Sequence, residues 1–340
     1  MIFICTSLNI GMALSLSKNI EIKGCVCVLP QTEKNNMDLP FLSQEEKLDF
    51  VKHTGIAHRR IAKKSDHIVD YFEHGMRDLL SGLQWHPEEI QVLICVSQTP
   101  NIPFPSMSNQ LHSKLGMSSS CLCYDINLGC SGFVYGLHTI SQLLQSFNET
   151  GLKAILCCGD FSSRIIAEND SATVPIFSDG ISVTGIEKTN DSHPLYFHLE
   201  SIGSGVEAIQ YDLNKGAMHL NGIDVFQHSV LHVPKNIKAL SAFAQMPIEQ
   251  IDFFILHQAN KLINQSIAKK LNLSYDQFPS SIESFGNTSS ASIPLTLVLH
   301  QNETSQKDST YCLSGFGVGF SIGSMICRMP KLIYSKLLAL

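Results

Sequence analysis

Short apolar runs alternate with amphipathic stretches along most of this chain, and this alternation restricts the fold more than any other feature. The apolar runs have the length and composition of buried strands. They lie at Ile20 to Leu29, Val92 to Ser97, Leu122 to Ile126, Ala154 to Cys158, Phe253 to Leu256 and Tyr311 to Ser314. Strands interleaved with helices predict an α/β fold rather than a sandwich of strands or a helical bundle.

The amphipathic stretches return apolar side chains to one face of a 3.6-residue repeat, as helices do. The pattern predicts helices over Ser131 to Gln145 and over Asn260 to Leu271. Weaker helical patterns cover Asp66 to Leu83 and Asp224 to Leu240. Because proline removes a helical hydrogen bond, Pro234 is expected to interrupt the last of these helices.

Irregular sequence from Lys188 to Gly222 divides the chain near its middle. We therefore predict an N-terminal extension of doubtful role at residues 1–17, an N-terminal α/β half at 18–187 and a C-terminal α/β half at 188–340. The apolar start, Met1 to Leu16, lacks the cationic region and the cleavage site of a secretory signal. It is too short to span a bilayer, so no membrane span is predicted, and Met12 is an alternative initiator.

Composition excludes several classes of function. Of the 340 residues 44% are hydrophobic, enough for one or two large cores. Lys plus Arg number 24 and Asp plus Glu 30, giving a net charge of −6 without blocks of like charge, so nucleic-acid binding is not expected. Eleven cysteines, several inside apolar runs, indicate a reducing compartment and predict a cytoplasmic location. No ligand spacing for a metal is present.

Cys130 is the strongest candidate nucleophile. It follows the predicted strand at Leu122 to Ile126 and stands where the helix at Ser131 to Gln145 begins. The positive end of a helix dipole favours a thiolate, so we expect a lowered pKa there. The alternative is that Cys130 is one more buried thiol, which is the interpretation preferred for Cys5 and the other cysteines in apolar runs.

His257 and Asn287 are the next candidates. His257 ends the strand at Phe253 to Leu256, and the carboxyl ends of strands in open α/β sheets are where active sites collect. Asn287 lies in a turn rich in glycine and hydroxyl side chains before an apolar segment. Taken alone, Asn287 would be read as an ordinary helix cap or turn residue.

Taken together, the motifs resemble the ketoacyl-acyl-carrier-protein synthase III group of the thiolase-like condensing enzymes. The similarity covers about residues 19–329 in one unbroken order. The motifs are Thr54-Gly-Ile-Ala-His-Arg-Arg, Phe104-Pro-Ser, Asp125 to Phe133, Gly159-Asp160, Phe177-Ser-Asp-Gly, His257-Gln-Ala-Asn, Gly286-Asn-Thr-Ser and Phe316 to Ser324. The resemblance implies two similar halves packed as a five-layered αβαβα sandwich, a homodimer, and no cofactor beyond its thioester substrates.

The resemblance also implies a chemistry. Cys130 takes an acyl group from acyl-coenzyme A or an acyl carrier protein, and a malonyl thioester then condenses with it as carbon dioxide leaves. His257 and Asn287 donate hydrogen bonds to the malonyl thioester oxygen. The implied oxyanion hole is formed by the backbone amide of Cys130 together with Val318 and Gly319. The implied substrate-binding residues are Phe104, reaching in from a second subunit, Arg164, Phe316 and Gly317.

Departures from the family pattern fall at the positions that recognise the carrier. Asp49 and His53 stand where the family often has a tryptophan and an arginine at the coenzyme A adenine. Gln227 and Leu262 replace two basic positions associated with carrier-protein docking, although Lys261, Lys269 and Lys270 lie nearby. The expected pathway is therefore either fatty acid initiation or a specialised biosynthesis. The alternatives are an acyltransferase of this fold that does not decarboxylate, and a non-catalytic subunit of a heterodimer.

Overall fold

Each of the six apolar runs lies in a β-strand of the computed structural model, which describes residues 13–303 and 308–340. The described strands are β1 Leu14–Ser17, β2 Ile20–Leu29, β3 Glu33–Asn35, β4 His58–Arg60, β5 Ile90–Val96, β6 Leu122–Ile126, β7 Lys153–Asp160, β8 Gly180–Lys188, β9 Leu195–Ser201, β10 Ile209–Asp212, β11 Ala217–Leu220, β12 Phe253–Leu256, β13 Ser309–Gly317, β14 Ser321–Met329 and β15 Tyr334–Ala339. The helices are α1 Gln44–Thr54, α2 Ile68–Leu83, α3 Met107–Leu115, α4 Gly132–Gln145, α5 Gly222–Phe243, α6 Lys261–Leu271, α7 Ile282–Phe285 and α8 Ser292–Glu303.

Two mixed sheets carry the fold. The first has the strand order β15-β2-β8-β7-β5-β6 and the second the order β1-β9-β14-β13-β12. Helices α2 and α3 cover the outer face of the first sheet, and α5 and α6 lie on the outer side of the second. Helices α4 and α8 lie between the two sheets and contact both. The predicted five-layered α/β sandwich is confirmed.

Three hydrophobic clusters fill the spaces between the layers. The central one packs α4 and α8 between the sheets, with Phe133, Leu137 and Ile140 as the buried face of α4. The other two lie under α2 and α3 and under α5 and α6. Each sheet is therefore apolar on both faces, which explains why its strands read as nearly unbroken apolar runs.

The terminal strands cross between the predicted halves. Strand β1, within the predicted extension, pairs antiparallel with β9 of the second sheet. Strand β15, from the end of the C-terminal half, pairs parallel with β2 of the first sheet. The boundaries at 17 and 187 stay predictions, and the fold adds that Leu14–Ser17 form an edge strand. Met12 and Cys5 lie outside the described residues.

Two local expectations are wrong. The segment from Lys188 to Gly222 is not irregular throughout, because it contains β9 and the β10–β11 hairpin. Helix α5 also continues through Pro234, which is buried within it. Strand β9 has only a short apolar run, Leu195 to Phe197, directly after the polar segment Asn190 to Pro194. One proline is also too weak a signal to end a helix whose neighbouring residues are buried. None of the helices within the described ranges is long and apolar enough to cross a membrane.

Gly315 lets the start of α4 lie directly against β13. A Cβ placed on Gly315 would lie 2.7 Å from the Cys130 carbonyl oxygen and 2.8 Å from the Ser131 Cα, both of which are backbone atoms. Backbone cannot move aside as a flexible side chain can, so an added methyl group must separate the helix from the sheet.

We predict that Gly315→Ala lowers the free energy of unfolding by roughly 2 kcal/mol, as overpacking does. Urea unfolding followed by circular dichroism measures the change. Gly203→Ala is the matched control, because a Cβ at Gly203 meets no atom within 4 Å. Equal stability of the two variants would contradict the close packing described here.

Candidate active site

Cys130 lies in the loop between β6 and α4, one residue before the helical N-cap. The first turns of α4 approach the first sheet closely, since a Cβ on Gly132 would meet a Val96 methyl at 2.4 Å. On the other side, Gly317 at the end of β13 faces the sulfur, and a Cβ there would lie 3.0 Å from Sγ. Both sheets therefore hold the thiol in place from opposite sides.

The environment of Cys130 raises the pKa of the thiol to about 12. Burial is the largest cause, and the negative charge of Asp160 adds to it. Hydrogen bonds from the Ser289 side chain and from the amides of Cys130 and Val318 act in the opposite direction. The expected lowered pKa is therefore wrong in this structure, because burial outweighs the hydrogen bonds that favour the thiolate.

His257 follows β12 and is buried, and its amide donates to the Ser314 carbonyl of β13 at 2.8 Å. Its Nδ1 lies 2.7 Å from Ser292 Oγ, which also accepts from the Gln258 amide at 3.3 Å. The hydroxyl can accept from the amide and donate to Nδ1 at the same time, an arrangement that goes with the imidazole proton on Nε2. Burial lowers the pKa of His257 to about 3, so the ring is neutral.

Asn287 is held by its backbone on both sides. Its amide donates to the Ile176 carbonyl at 3.1 Å, and its carbonyl accepts from the Ser178 amide at 2.9 Å. The side-chain Oδ1 accepts from the Ser289 amide at 2.9 Å. Because Oδ1 is engaged in this bond, the Nδ2 group is the part of the side chain available to donate to a ligand.

The three predicted catalytic residues line one cavity. It has a volume of about 60 Å³, and Cys130, His257 and Asn287 share it with Phe316 and Gly317. The remaining lining side chains come from the loop before β8, the β10–β11 hairpin and the starts of α5 and α6. One nucleophile thus faces two neutral hydrogen-bond donors in an enclosed, largely apolar space.

Other predicted residues lie elsewhere. Val318 directs its amide at the Cys130 sulfur, whereas Gly319 does not line the cavity. Arg164 donates to the Asp66 carbonyl and stacks on Phe161, with its Cζ 4.8 Å from the ring centroid, so its guanidinium is engaged inside the fold. Phe104 is 81% exposed and does not line its own chain's cavity.

Sequence reasoning gave no role to two serines of the site. Ser292 fixes the His257 ring, and Ser289 lies beside both Cys130 and Asp160. Both belong to the hydroxyl-rich tract that follows Asn287. The high density of serines in this tract could have indicated a functional role, but the sequence does not show which serine side chains face the site. No cluster of three or more metal-ligating side chains is found in residues 13–303 and 308–340.

Comparisons with known proteins agree with this geometry. Residues 124–203 match the family described as 3-Oxoacyl-[acyl-carrier-protein (ACP)] synthase III, and residues 242–329 match its C-terminal counterpart. A beta-ketoacyl-[acyl-carrier-protein] synthase III of Listeria innocua is 31% identical over 92% of this chain and all of its own length. The chain belongs to the 3-oxoacyl-[acyl-carrier-protein] synthase III family.

Further relatives support this membership. The synthase III of Porphyra purpurea is 32% identical over 81% of this chain and 88% of its own. The crystal structure of a 3-oxoacyl-(acyl-carrier protein) synthase from Burkholderia xenovorans LB400 superposes with a TM-score of 0.92 at 28% identity, covering 96% of this chain and 99% of that one. The resemblance inferred from the motifs and the thiolase-like fold are confirmed, while the roles of individual residues stay predictions.

We predict that alkylation of Cys130 by iodoacetamide in the free enzyme accelerates about tenfold per pH unit from pH 7 to 10 without a plateau. The thiolate is the reactive form, and its fraction grows in this way at every pH below the thiol pKa of about 12. Peptide mass spectrometry of the labelled protein, with Cys130→Ala as the control, measures the rate at this site. A plateau below pH 8 would show that the thiolate is already formed.

Proposed function

We propose that this chain is a β-ketoacyl-acyl-carrier-protein synthase III that performs a decarboxylative Claisen condensation. The observation that carries the proposal is the single cavity in which Cys130 faces His257 and Asn287. A nucleophilic thiol serves acyl transfer, and two neutral donors serve an enolate that forms from a malonyl thioester. The role we propose is initiation of fatty acid synthesis.

In the first half-reaction the Cys130 sulfur attacks the carbonyl carbon of an acyl thioester. The carbonyl oxygen gains negative charge in the tetrahedral intermediate, and the amides of Cys130 and Val318 are placed to donate to it. The bond to the carrier's sulfur then breaks, and the proton of the Cys130 thiol ends on the departing thiol. The product is an acyl group on Cys130.

In the second half-reaction a malonyl thioester enters the same cavity. Its carbon–carbon bond to the carboxylate breaks, carbon dioxide leaves, and the electron pair moves into the thioester as an enolate. His257 Nε2 and Asn287 Nδ2 donate to the enolate oxygen. The enolate carbon then attacks the acyl carbonyl, and the Cys130 sulfur leaves as a thiolate that takes a proton from solvent.

The electrostatics of His257 suit this role better than that of a base. With a pKa of about 3, the ring does not take up a proton near neutral pH. A neutral imidazole that carries its proton on Nε2 is a hydrogen-bond donor to a developing oxyanion. We therefore assign His257 and Asn287 together to stabilisation of charge, not to proton abstraction.

We infer which carriers deliver the substrates from the surface residues of the helices near the active-site cavity. Helix α1 presents Asp49 and His53 to solvent, at the positions where the family often has a tryptophan and an arginine. Exposed lysines on α5 and α6, which pack together, form a basic surface: Lys235, Lys238, Lys261, Lys269 and Lys270. We propose that an acidic acyl carrier protein docks on this surface and that coenzyme A is recognised less strongly. The departures from the family pattern at the carrier-binding positions favour a specialised biosynthetic pathway as the second candidate for the role of this enzyme.

The quaternary structure we propose is a homodimer formed through β6. This strand is the edge of the first sheet, and its residues are half-buried or exposed. Phe104 and Ile102 are exposed large apolar side chains in the loop after β5, which neighbours β6. Pairing of two β6 edges covers unsatisfied backbone groups and places Phe104 at the partner. The ten free cysteines of the described chain suit a cytoplasmic location.

We predict that incubation with acyl thioesters adds one acyl group to the wild-type chain and none to Cys130→Ala, as measured by intact-protein mass spectrometry. A malonyl thioester chase should then remove the adduct as a β-ketoacyl product. Loading followed by transfer to an amine or hydroxyl, without carbon dioxide release, would instead indicate an acyltransferase. Failure of every thioester to load would favour a non-catalytic subunit.

We also predict that Asn287→Ala lowers the rate of malonyl decarboxylation by roughly 10²-fold, because one enolate donor is lost. Release of labelled carbon dioxide from a malonyl thioester measures the rate, and acyl loading on Cys130 should change far less. Asn302→Ala, which removes an exposed amide at the end of α8, is the control. Unchanged decarboxylation in Asn287→Ala would remove Asn287 from the mechanism.

A further inference from the structure

Asn287 takes its backbone position from residues 175–178, which precede β8 and form the Pro175 loop. The Asn287 amide donates to the Ile176 carbonyl, and the Asn287 carbonyl accepts from the Ser178 amide. The side chain adds only the local bond from the Ser289 amide to Oδ1. Whatever fixes the Pro175 loop therefore also fixes the place from which the Asn287 Nδ2 group can donate.

Asn36 holds the Pro175 loop. It directly follows β3 and is 1% exposed. Its Nδ2 group donates to the Pro175 carbonyl at 2.8 Å and to the Ile56 carbonyl at 3.0 Å. Both protons of the side-chain amide are therefore used, and both acceptors are backbone atoms. Asn36 thus ties the Pro175 loop to the segment that leads from α1 into β4.

Arg59 of β4 in turn holds Asn36. The Arg59 side chain is 4% exposed, and its Nε donates to Asn36 Oδ1 at 2.7 Å. Because Nε only donates and the two carbonyls only accept, one orientation of the Asn36 amide satisfies all three groups. The reverse orientation would place donor against donor and acceptor against acceptor. The bond from Arg59 therefore selects the orientation in which Asn36 donates to Pro175.

The stem of Arg59 also packs against the turn that carries Asn287. Gly286, directly before Asn287, has a φ of 59°. A Cβ placed on Gly286 would lie 3.1 Å from the Ile176 carbonyl oxygen and 3.2 Å from Arg59 Cγ. The turn therefore lies close against both the Pro175 loop and Arg59. Arg59 restricts the position of Asn287 in two ways, through Asn36 and by direct packing.

We propose, building on the function assigned above, that Arg59 and Asn36 form a positioning pair that holds the Asn287 Nδ2 group in place for malonyl decarboxylation. Neither residue lines the catalytic cavity, so both act through Asn287 and not on the substrate. A misplacement of about 1 Å can cost roughly 10²-fold in rate, even when its cause lies far from the chemistry. Acylation of Cys130 does not use Asn287 and is therefore independent of the pair.

The charge of Arg59 offers a rival explanation that the test must separate from the hydrogen bond. Burial lowers the pKa of Arg59 to about 10, so the guanidinium stays charged near neutral pH, and the negative charge of Asp179 acts in the opposite direction. Two substitutions remove this charge equally. Arg59→Gln keeps a nitrogen donor at the position of Nε along the side chain, whereas Arg59→Met places a methyl group there.

The experiment measures the two half-reactions separately in the wild-type enzyme, Arg59→Met and Arg59→Gln. Release of labelled carbon dioxide from malonyl-coenzyme A gives kcat and KM for decarboxylation, and intact-protein mass spectrometry gives the rate of Cys130 acylation by acetyl-coenzyme A. We expect Arg59→Met to lower kcat for decarboxylation by about tenfold or more, with KM and the acylation rate within about twofold of wild type. We expect Arg59→Gln to keep kcat within about threefold of wild type.

A double-mutant cycle tests whether the effect passes through Asn287. Arg59→Met is combined with Asn287→Ala, which already lacks the Nδ2 donor. We expect Arg59→Met to change the decarboxylation rate by less than about twofold in that background, because residues that act through one group are not additive. A full additional loss would show that Arg59 acts by another route and would overturn the proposal.

Asn36→Asp is a second, independent variant. It keeps the oxygen that accepts from Arg59 and loses the nitrogen that donates to Pro175 and Ile56. We expect the same selective loss of decarboxylation, with acylation of Cys130 within about twofold of wild type. Asn302→Asp, the same change at an exposed position, is the matched control. Circular dichroism establishes that each variant is folded.

The remaining outcomes are distinct. Equal losses in Arg59→Met and Arg59→Gln would assign the effect to the charge, and unchanged decarboxylation in Arg59→Met or Asn36→Asp would leave no effect to assign; each result overturns the proposal. Failure of both Arg59→Met and Asn36→Asp to fold would give the pair a role in the fold alone and overturns it as well. If the wild-type enzyme releases no carbon dioxide from malonyl-coenzyme A, the proposed function fails, and the positioning role fails with it.

Discussion

The contact between the first turn of α4 and the end of β13 is the constraint on which the site depends. Helix α4 lies between the two sheets, so its first turn can approach β13 only where β13 has no side chain. Gly315 and Gly317 provide that gap directly opposite Cys130. The thiol, which belongs to the first half, is thereby brought to the Val318 amide and His257 of the second half.

Burial sets the electrostatics of this site more strongly than helix dipoles do. The pKa of Cys130 is raised and that of His257 is lowered, in each case mainly because the charged form loses water. A thiolate–imidazolium pair is therefore not the resting state. The thiol must lose its proton as the thioester binds and reacts, when the amides of Cys130 and Val318 meet a developing negative charge instead of a neutral thiol.

The sequence was a good guide to the elements around the site. The strands ending before Cys130 and His257, and the helices after them, follow from apolar periodicity, because each of these elements packs apolar side chains against a core cluster. Periodicity could not show that β1 joins the second sheet and β15 the first, since strand order depends on contacts between residues far apart in the sequence. It also could not show that Arg164 turns inward to Asp66 or that Ser292 orients His257, because side-chain direction depends on packing absent from a linear pattern.

Asp160 opposes ionisation of the nucleophile. Its negative charge raises the pKa of Cys130, and Asp160 is itself buried at the end of β7. The Ser289 side chain favours the ionised form of both groups. Because a hydroxyl carries one proton, Ser289 donates to only one of them at a time, and donation to the carboxylate leaves the thiol without this stabilisation. The thiolate that forms during the reaction then depends on the amides of Cys130 and Val318.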